Sequence, residues 1–414
     1  MTGTFKFGSL FSGGMGLDLG VEQAGGELIF ANEIDRGAVA TIRHNRPNVA
    51  VFEESVANLS AARIFQTTGV RRGELDLLCG GPPCQSFSVY GNRAGVHDPR
   101  GQLVFEFVRM VGELLPKCFL MENVRGLHSM PLVPQAQSAS VSSFAPWMAS
   151  NGSLMDTLVR EFRDHGYQVD VFLVNSVNYG APQIRERMLI VGNRLGVSNT
   201  VLAPTRSNRP QDRLPPFNTL RDAIGNGFRD TRPEMMNFSP RKLGYLAMVP
   251  SGGNWRSLPV EVQKESMGKS WYLKGGRSAT WRRLSWDFPS PTVVTMPNHA
   301  STSMCHPDQV RALTVGECAA IQEFPENWEF LGSTAEKYRQ IGNAVPVRLG
   351  AVAGEAIAKM LSSQSSPELT SPPHDKSVNV IHLRPHVRTK RYWHKGEALA
   401  GNHSYYSESL PLFA

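Results

Sequence analysis

Leu75-Asp76-Leu77-Leu78-Cys79-Gly80-Gly81-Pro82-Pro83-Cys84-Gln85-Ser86-Phe87-Ser88 is the stretch from which the rest of the chain is best read. Leu75 to Cys79 is a short apolar run bounded by turn-formers, which predicts a buried strand. Two glycines and two prolines then stop that strand abruptly. Cys84 is therefore expected on a stiff turn just past a strand's carboxyl end, where open α/β sheets hold their ligands. A thiol there is nucleophilic once ionised and is a usable leaving group afterwards. For this string alone, an incidental turn cysteine is the other reading.

The bulk properties narrow the class. The chain has 414 residues, a length that favours two domains and a tail, and 41% of them are hydrophobic, enough for a sizeable core. No apolar run approaches the ~20 residues of a membrane span. The first nine residues lack a signal-peptide core, so a cytoplasmic protein is expected. The five cysteines (Cys79, Cys84, Cys118, Cys305, Cys318) include no CxxC pair, which predicts neither a disulfide framework nor a zinc site. The net charge is +7, but Arg194 to Arg283 carries 16 Lys and Arg against 6 Asp and Glu, so the remainder stands at −3. A basic segment on an otherwise slightly acidic chain suits a polyanionic partner, nucleic acid above all; a solvated basic surface is the alternative.

Working outward, Phe5 to Phe11 is strand-like and runs into Phe11-Ser12-Gly13-Gly14-Met15-Gly16, followed by a helix-like stretch, Leu17 to Ala24. Strand, glycine turn and helix make a nucleotide-type cradle, although the spacing is not GxGxxG. A second strand, Glu27 to Ala31, ends at Asn32-Glu33-Ile34-Asp35. An acid there suits the two hydroxyls of a ribose, and Asp35 suits a helix N-cap; both can hold together. Val49 to Phe52 is a further strand before Glu53-Glu54-Ser55-Val56. Val89 to Arg100 reads as a mobile loop, Gln102 to Leu115 as a helix, and Cys118 to Met121 as a buried strand ending in Glu122-Asn123-Val124. Glu122 is thus a candidate acid on the sheet edge of Cys84, or a structural cap if Cys84 has no role.

Ser129 to Ser153 reads as a long surface loop, Leu154 to His165 as a helix and Tyr167 to Val174 as a strand. Gln183-Ile184-Arg185-Glu186-Arg187 leads into the strand Met188 to Val191, and alternation predicts that both arginines point the same way. That suits an anion or polar ligand, or else a surface pair. From about Gly196 to Arg283, Pro, Gly, Asn and Arg are frequent and helical periodicity is poor, which predicts a second domain. Leu313 to Phe324 is expected to be a helix, capped by Thr314 with Glu317 closing a capping box. Gln340 to Pro346 precedes a final helix, Val347 to Leu361. After Ser362 a Ser, Pro, His and Arg-rich appendage is expected to be partly disordered.

As an ordered series, these strings resemble the bacterial-type DNA (cytosine-5) methyltransferases, over roughly residues 5 to 361. The cradle at Phe11–Gly16 resembles their cofactor loop, Pro82-Pro83-Cys84-Gln85 their nucleophile turn, Glu122-Asn123-Val124 their base-holding acid, and Gln183 to Arg187 their QxRxR. The resemblance implies an α/β fold: a Rossmann-like sheet binding S-adenosylmethionine, with one strand antiparallel to the rest, and a smaller, mostly irregular or β target-recognition domain. It implies catalytic roles for Cys84, Glu122, Arg185 and Arg187. Cofactor contacts are implied for Phe11, Ser12, Gly13, Gly14, Gly16, Glu33, Ser55, Val56, Pro83, Leu103, Asn343 and Val345, and DNA contacts for Gln85, Ser88 and Gln183. The implied domains are 1–195, 196–283 (core about 225–280), 284–361 and the 362–414 tail. The implied partners are double-stranded DNA and a cognate restriction endonuclease, with a monomeric enzyme, no metal and a nucleoid location through DNA. An RNA cytosine-5 methyltransferase and a catalytically silent DNA-binding homologue are the rival readings. The chain departs from the family at Ser55, where an acid usually holds the adenine amino group; Ser55 or Glu54 is left to do so.

Overall fold

The computed structural model describes residues 4–83, 99–129, 154–225, 227–272, 279–299, 301–363 and the short segments 380–382, 393–394 and 397–398. The nucleophile candidate Cys84, with Gln85, Ser88 and most of the expected loop after them, lies outside these residues, as do the 130–153 loop and most of the tail. Two compact units divide the chain. One comprises the residues up to Val174, Glu186–Ala203 and Gly350–Leu383; the other comprises Asn175–Arg185, Pro204–Leu349 and the residues from Arg384.

The strands in chain order are β1 (Phe5–Leu10), β2 (Gly26–Glu33), β3 (Ala50–Glu53), β4 (Leu77–Gly80), β5 (Cys118–Asn123), β6 (Gln168–Asn175), β7 (Gln183–Ile184), β8 (Glu186–Asn193), β9 (Ser290–Pro291), β10 (Val380–His382), β11 (Trp393–His394) and β12 (Glu397–Ala398). Eight form the sheet of the first unit, in the order β10-β6-β8-β5-β4-β1-β2-β3. β1 pairs in parallel with both β2 and β4, and β4 in parallel with β5. β8 runs antiparallel to β5. The chain leaves β1 toward β3 and returns to β4 on the other side of β1, so the strand order reverses there. Ligands of open α/β sheets bind at such a switch point, beyond the strands' carboxyl ends. Every residue of β4 is buried, as an apolar run in a parallel sheet requires.

The sheet is flanked by α1 (Gly16–Gln23), α2 (Arg36–Asn45), α3 (Ala61–Thr68), α4 (Pro99–Leu114) and α5 (Leu154–Asp164). Asp35 does cap α2, its Oδ1 accepting from Ala38 N at 3.0 Å. α4 begins at Pro99, earlier than periodicity alone places it, because proline's fixed φ suits a first helical turn. Phe107, Phe119, Phe162 and Tyr167 form the aromatic heart of the core, with Phe119 stacked on Phe162 at 4.1 Å. Each such buried ring contributes about 2–3 kcal/mol over an exposed one.

The second unit contains α6 (Leu220–Ile224), α7 (Pro240–Met248), α8 (Val260–Met267), α9 (Val315–Ile321) and α10 (Thr334–Asn343); α11 (Val347–Ser362) then leads into the first unit. The predicted Thr314/Glu317 capping box is present. The recognition segment is expected to be mostly irregular or β, and most of its described residues are irregular. Between 196 and 283 the described residues hold α6 to α8 and 3-10 turns, and no strand. These helices have five to nine residues, two turns or so, which is too short for a period of 3.6 to stand out. Their apolar positions, Tyr245, Leu246 and Met267 among them, pack with Trp255, Leu258 and Trp281 into a separate core.

Candidate active site

The cradle follows β1. Phe11, Gly13 and Met15 all adopt positive φ (56°, 52° and 67°), so the chain turns tightly before α1 starts at Gly16. Phe11 and Met15 pay about 1 kcal/mol or more each for that conformation, and it persists only where neighbours hold it. They do: Ser12 N donates to Asn32 O at 3.0 Å, Met15 N to Ser12 O at 2.8 Å, and Gly13 N to Glu33 Oε2 at 2.8 Å. Glu33 Oε1 accepts from Ile34 N and Asp35 N, both at 2.8 Å. Burial pushes the Glu33 pKa up, and the three backbone donors oppose that rise. A carboxylate offers about four acceptor positions, so one remains for a ligand hydroxyl.

Asn32 is buried and donates to Phe52 O (3.0 Å) and Glu54 O (2.9 Å), tying the end of β2 to the end of β3 and the turn after it, a role no local sequence signal marks. In that turn Ser55 Oγ accepts from Ala57 N at 3.3 Å, and Val56 is buried. Of the two substitutes for the missing acid, Glu54 is paired with Arg63. Arg109 of α4 braces the same turn through Val56 O (2.8 Å) and Leu59 O (3.1 Å), held in place by Glu106 and Glu113. No local pattern marks Arg109; only the fold brings it there. Leu103 lies half-buried on the same helix.

Two strands away, β4 and β5 are in parallel register, Gly80 beside Met121. The next residues are therefore Gly81 and Glu122. A Cβ built on Gly81 would stand 3.0 Å from Glu122 Oε2, so the turn passes directly by the carboxylate. Asn123 Nδ2 donates to Pro82 O at 3.2 Å, fixing that turn as it runs to Pro83, the last described residue before Cys84. Glu122 faces Leu189 in the antiparallel register, and Arg187 lies two residues from Leu189 on the same face. Arg187 Nε meets Glu122 Oε1 at 2.6 Å, with both side chains about seven-eighths buried. Arg187 Nη1 also donates to Glu186 O at 2.8 Å.

The family model for C-5 cytosine-specific DNA methylase matches residues 5–359. The chain belongs to this family. Curated relatives of the methylase include the type II methyltransferases M.PspPI of Psychrobacter (39% identical, over 87% of this chain and 80% of the relative), M.Eco47II of Escherichia coli (38%; 85% and 78%) and M.Sau96I of Staphylococcus aureus (36%; 85% and 75%). Among solved structures it is similar to a prophage-encoded protein of E. coli described as a DNA modification methyltransferase, with a TM-score of 0.58, 25% identity and coverage of 87% of this chain and all of the other. The methylase is a DNA cytosine-5 methyltransferase of an S-adenosylmethionine-dependent family with a Rossmann-like fold. No helix among its described residues is long and apolar enough to cross a membrane.

Two residues singled out in the sequence form bonds within the second unit. Gln183, expected at the DNA, is fully buried: Nε2 donates to Gln322 Oε1 at 2.8 Å and Oε1 accepts from Val293 N at 2.9 Å. It is a strut between segments far apart in sequence. Arg185 does not follow the alternation of Arg187, because it falls between β7 and β8 rather than within a strand. Its guanidinium donates to Val293 O (3.2 Å), Gly342 O (2.9 Å) and Asn343 O (3.4 Å). Gln322 adds bonds to Ile341 O and Ala344 O, so the Gln340–Pro346 segment is held from two sides, with Asn343 exposed and Val345 buried. Gly342 makes this possible: an added Cβ would stand 2.5 Å from Thr295 N and 2.6 Å from the Val294 carbonyl carbon. Gly342→Ala is therefore expected to destabilise the second unit by about 1–3 kcal/mol, read as a lower urea midpoint; an unchanged midpoint would show that the contact yields freely.

Proposed function

We propose that the methylase transfers a methyl group to carbon 5 of a cytosine flipped out of double-stranded DNA, through a covalent adduct between Cys84 and carbon 6. The observation that carries this reading is the Glu122–Arg187 pair, set beside the Gly81–Pro83 turn that leads to Cys84. S-adenosylmethionine, when bound, supplies the methyl group on a sulfonium. The residues present fit it: a tight positive-φ loop at Phe11, Gly13 and Met15, and a Glu33 carboxylate with acceptor capacity to spare for ribose. Phe11, Ser12, Gly13, Gly14, Gly16, Glu33, Ser55, Val56, Pro83, Leu103, Asn343 and Val345 are the proposed cofactor contacts.

The chemistry follows from what cytosine lacks. Carbon 5 is a poor nucleophile and is stacked inside the helix, so the base must leave the stack at a cost of a few kcal/mol. The Cys84 thiolate adds to carbon 6, and negative charge moves toward ring nitrogen 3. Glu122 shares a proton with that nitrogen and stabilises the charge. Arg187 keeps the carboxyl oriented through Nε, and its remaining amino edge faces the carbonyl at carbon 2. The adduct is enamine-like and makes carbon 5 nucleophilic. After methylation, water takes the carbon 5 proton, and the freed C–H electron pair restores the 5,6 double bond as the bond from carbon 6 to sulfur breaks and Cys84 leaves as thiolate. Gln85 and Ser88, on the segment after the nucleophile, are proposed DNA contacts. Arg185 is proposed to act by positioning the Gly342–Asn343 backbone rather than by touching the base.

The second unit holds most of the basic segment and is proposed to recognise the DNA site, with residues 225–280 as its core. Its relatives are type II methyltransferases, so a cognate restriction endonuclease is the proposed biological partner, and the enzyme is proposed to act as a monomer. Bisulfite sequencing of host DNA after expression tests the reading directly: one short motif should become protected at cytosine. Exchanging residues 225–280 for the equivalent part of another methylase should move the protected motif and leave the chemistry intact. Protection of the original motif by the chimera would place recognition elsewhere.

A further inference from the structure

Arg282 is a permanent positive charge buried with nothing negative beside it. It is 5% exposed, and its Nε donates to Ser303 O at 3.4 Å. Among the described residues no carboxylate pairs with it, and burial alone acts on its pKa, lowering it to about 10, so it stays charged at neutral pH. Its two amino groups have no hydrogen-bond partner among those residues, and neither is sealed from solvent, so the little surface the residue keeps includes them. Backbone pairing fixes its place. Trp255 N donates to Thr280 O at 3.2 Å and Arg283 N to Gly253 O at 3.0 Å, so 253–255 runs along one side of 280–283. On the other side Ser303 N donates to Ala279 O and Leu284 N to Cys305 O, both at 2.9 Å. Between these anchors Trp281 takes φ 47°, an outlier for so bulky a side chain.

The surplus of donors extends beyond Arg282. Asn254 Nδ2, Trp281 Nε1, Arg283 Nε and the hydroxyl of Ser303 are buried without a partner among the described residues. A second cation stands on the Ser303 side. Lys242 of α7, 3% exposed, donates to the carbonyls of Asn298 (3.1 Å), His299 (2.6 Å) and Thr302 (3.0 Å), and its Nζ lies 4.6 Å from the centre of the Phe238 ring. No carboxylate acts on it either. The three N–H groups of Lys242 are thereby used, whereas the amino groups of Arg282 are not.

Two buried charges of one sign raise the free energy of the protein alone, because the interior screens them poorly. They are relieved by a full negative charge, which a phosphate carries and the edge of a base does not. Phosphate oxygens only accept, which matches a site short of acceptors, and the planar guanidinium fork takes two of them at once. We propose that Arg282 grips a phosphate of the DNA backbone, with Lys242 adding to the field that attracts it without touching it. The buried stem holds the fork in one orientation, so little freedom is lost on binding. This rests on the reading of the second unit as the part that engages DNA, and adds to it a contact that places the duplex without reading its sequence.

Fluorescence anisotropy of the full chain on two labelled duplexes, one with the protected motif and one without it, tests the site across a range of KCl concentrations. Arg282→Met should raise Kd about tenfold on both duplexes alike and make log K against log [KCl] shallower by about 0.9, the loss of one phosphate contact. Arg282→Lys keeps the charge and should keep most of the slope. Thermal unfolding without DNA gives a result that a scaffold role would not. Arg282→Met should melt at the wild-type temperature or above it, since it removes an uncompensated buried charge. A melting temperature several degrees lower, or a variant that does not fold, makes Arg282 scaffold and overturns the proposal. A loss confined to the motif duplex makes it a base contact and overturns the phosphate site. A slope equal to that of the wild type does the same. Exchange of residues 225–280 that leaves the protected motif in place overturns the recognition reading instead, whatever Arg282→Met does to the slope.

Discussion

Cys84→Ser is expected to abolish turnover. A free thiol ionises near pH 8.5 and is a few per cent thiolate at neutrality, whereas a serine hydroxyl is scarcely ionised there. The population of competent nucleophile drops by many powers of ten, and the rate constant for methyl transfer should fall by about 10⁴ or more, equivalent to roughly 5 kcal/mol on the barrier. A second measurement isolates the bond itself. In a duplex carrying 5-fluorocytosine, carbon 5 has no proton to lose after methylation, so Cys84 cannot be expelled. The wild-type protein should remain attached to labelled DNA through denaturing electrophoresis, and Cys84→Ser should not. Serine activity within tenfold of wild type, or release of the fluorinated duplex, would remove the covalent step from the mechanism.

The Glu122–Arg187 pair carries the second large effect. Glu122→Gln preserves shape and removes the group proposed to share a proton with the base. DNA binding should survive, while the single-turnover rate falls by about 10²–10⁴. Arg187→Met acts differently. It leaves a carboxylate largely buried without its partner at 2.6 Å, which should cost about 3–5 kcal/mol of stability as well as rate. Combining the two substitutions removes the stranded charge, so the double variant should recover stability relative to Arg187→Met but not activity. If Arg187→Met loses stability while the methylation rate persists, the pair is scaffold and the proton has another holder.

Much of the first unit was legible in the sequence because its signals are local. Leu77 to Cys79 and Cys118 to Met121 are apolar runs that a sheet buried on both faces demands, and Gly-Gly-Pro-Pro ends the first of them. Asp35 and the Thr314/Glu317 box read as caps from their spacing alone. Resemblance of an ordered series of strings added the family, which the match over residues 5–359 shows. The short helices α7 and α8 were not legible, since two turns carry too few apolar positions for a periodic signal.

By itself, then, the sequence determined seven of the eight strands of the main sheet, where the chain must turn after β1 and β4, and that an acid stands at the end of β2 and another at the end of β5. Tertiary structure alone decided the partners. It turned Gln183 inward onto Gln322 and Val293, sent Arg185 to the carbonyls of Gly342 and Asn343, paired Arg187 with Glu122, and buried Arg282 against the carbonyl of Ser303. The reason is physical. Propensity and turn chemistry act between neighbours in the chain, whereas the direction of a polar side chain is set by whichever unsatisfied carbonyl, hydroxyl or charge the folded backbone brings within about 3 Å of it.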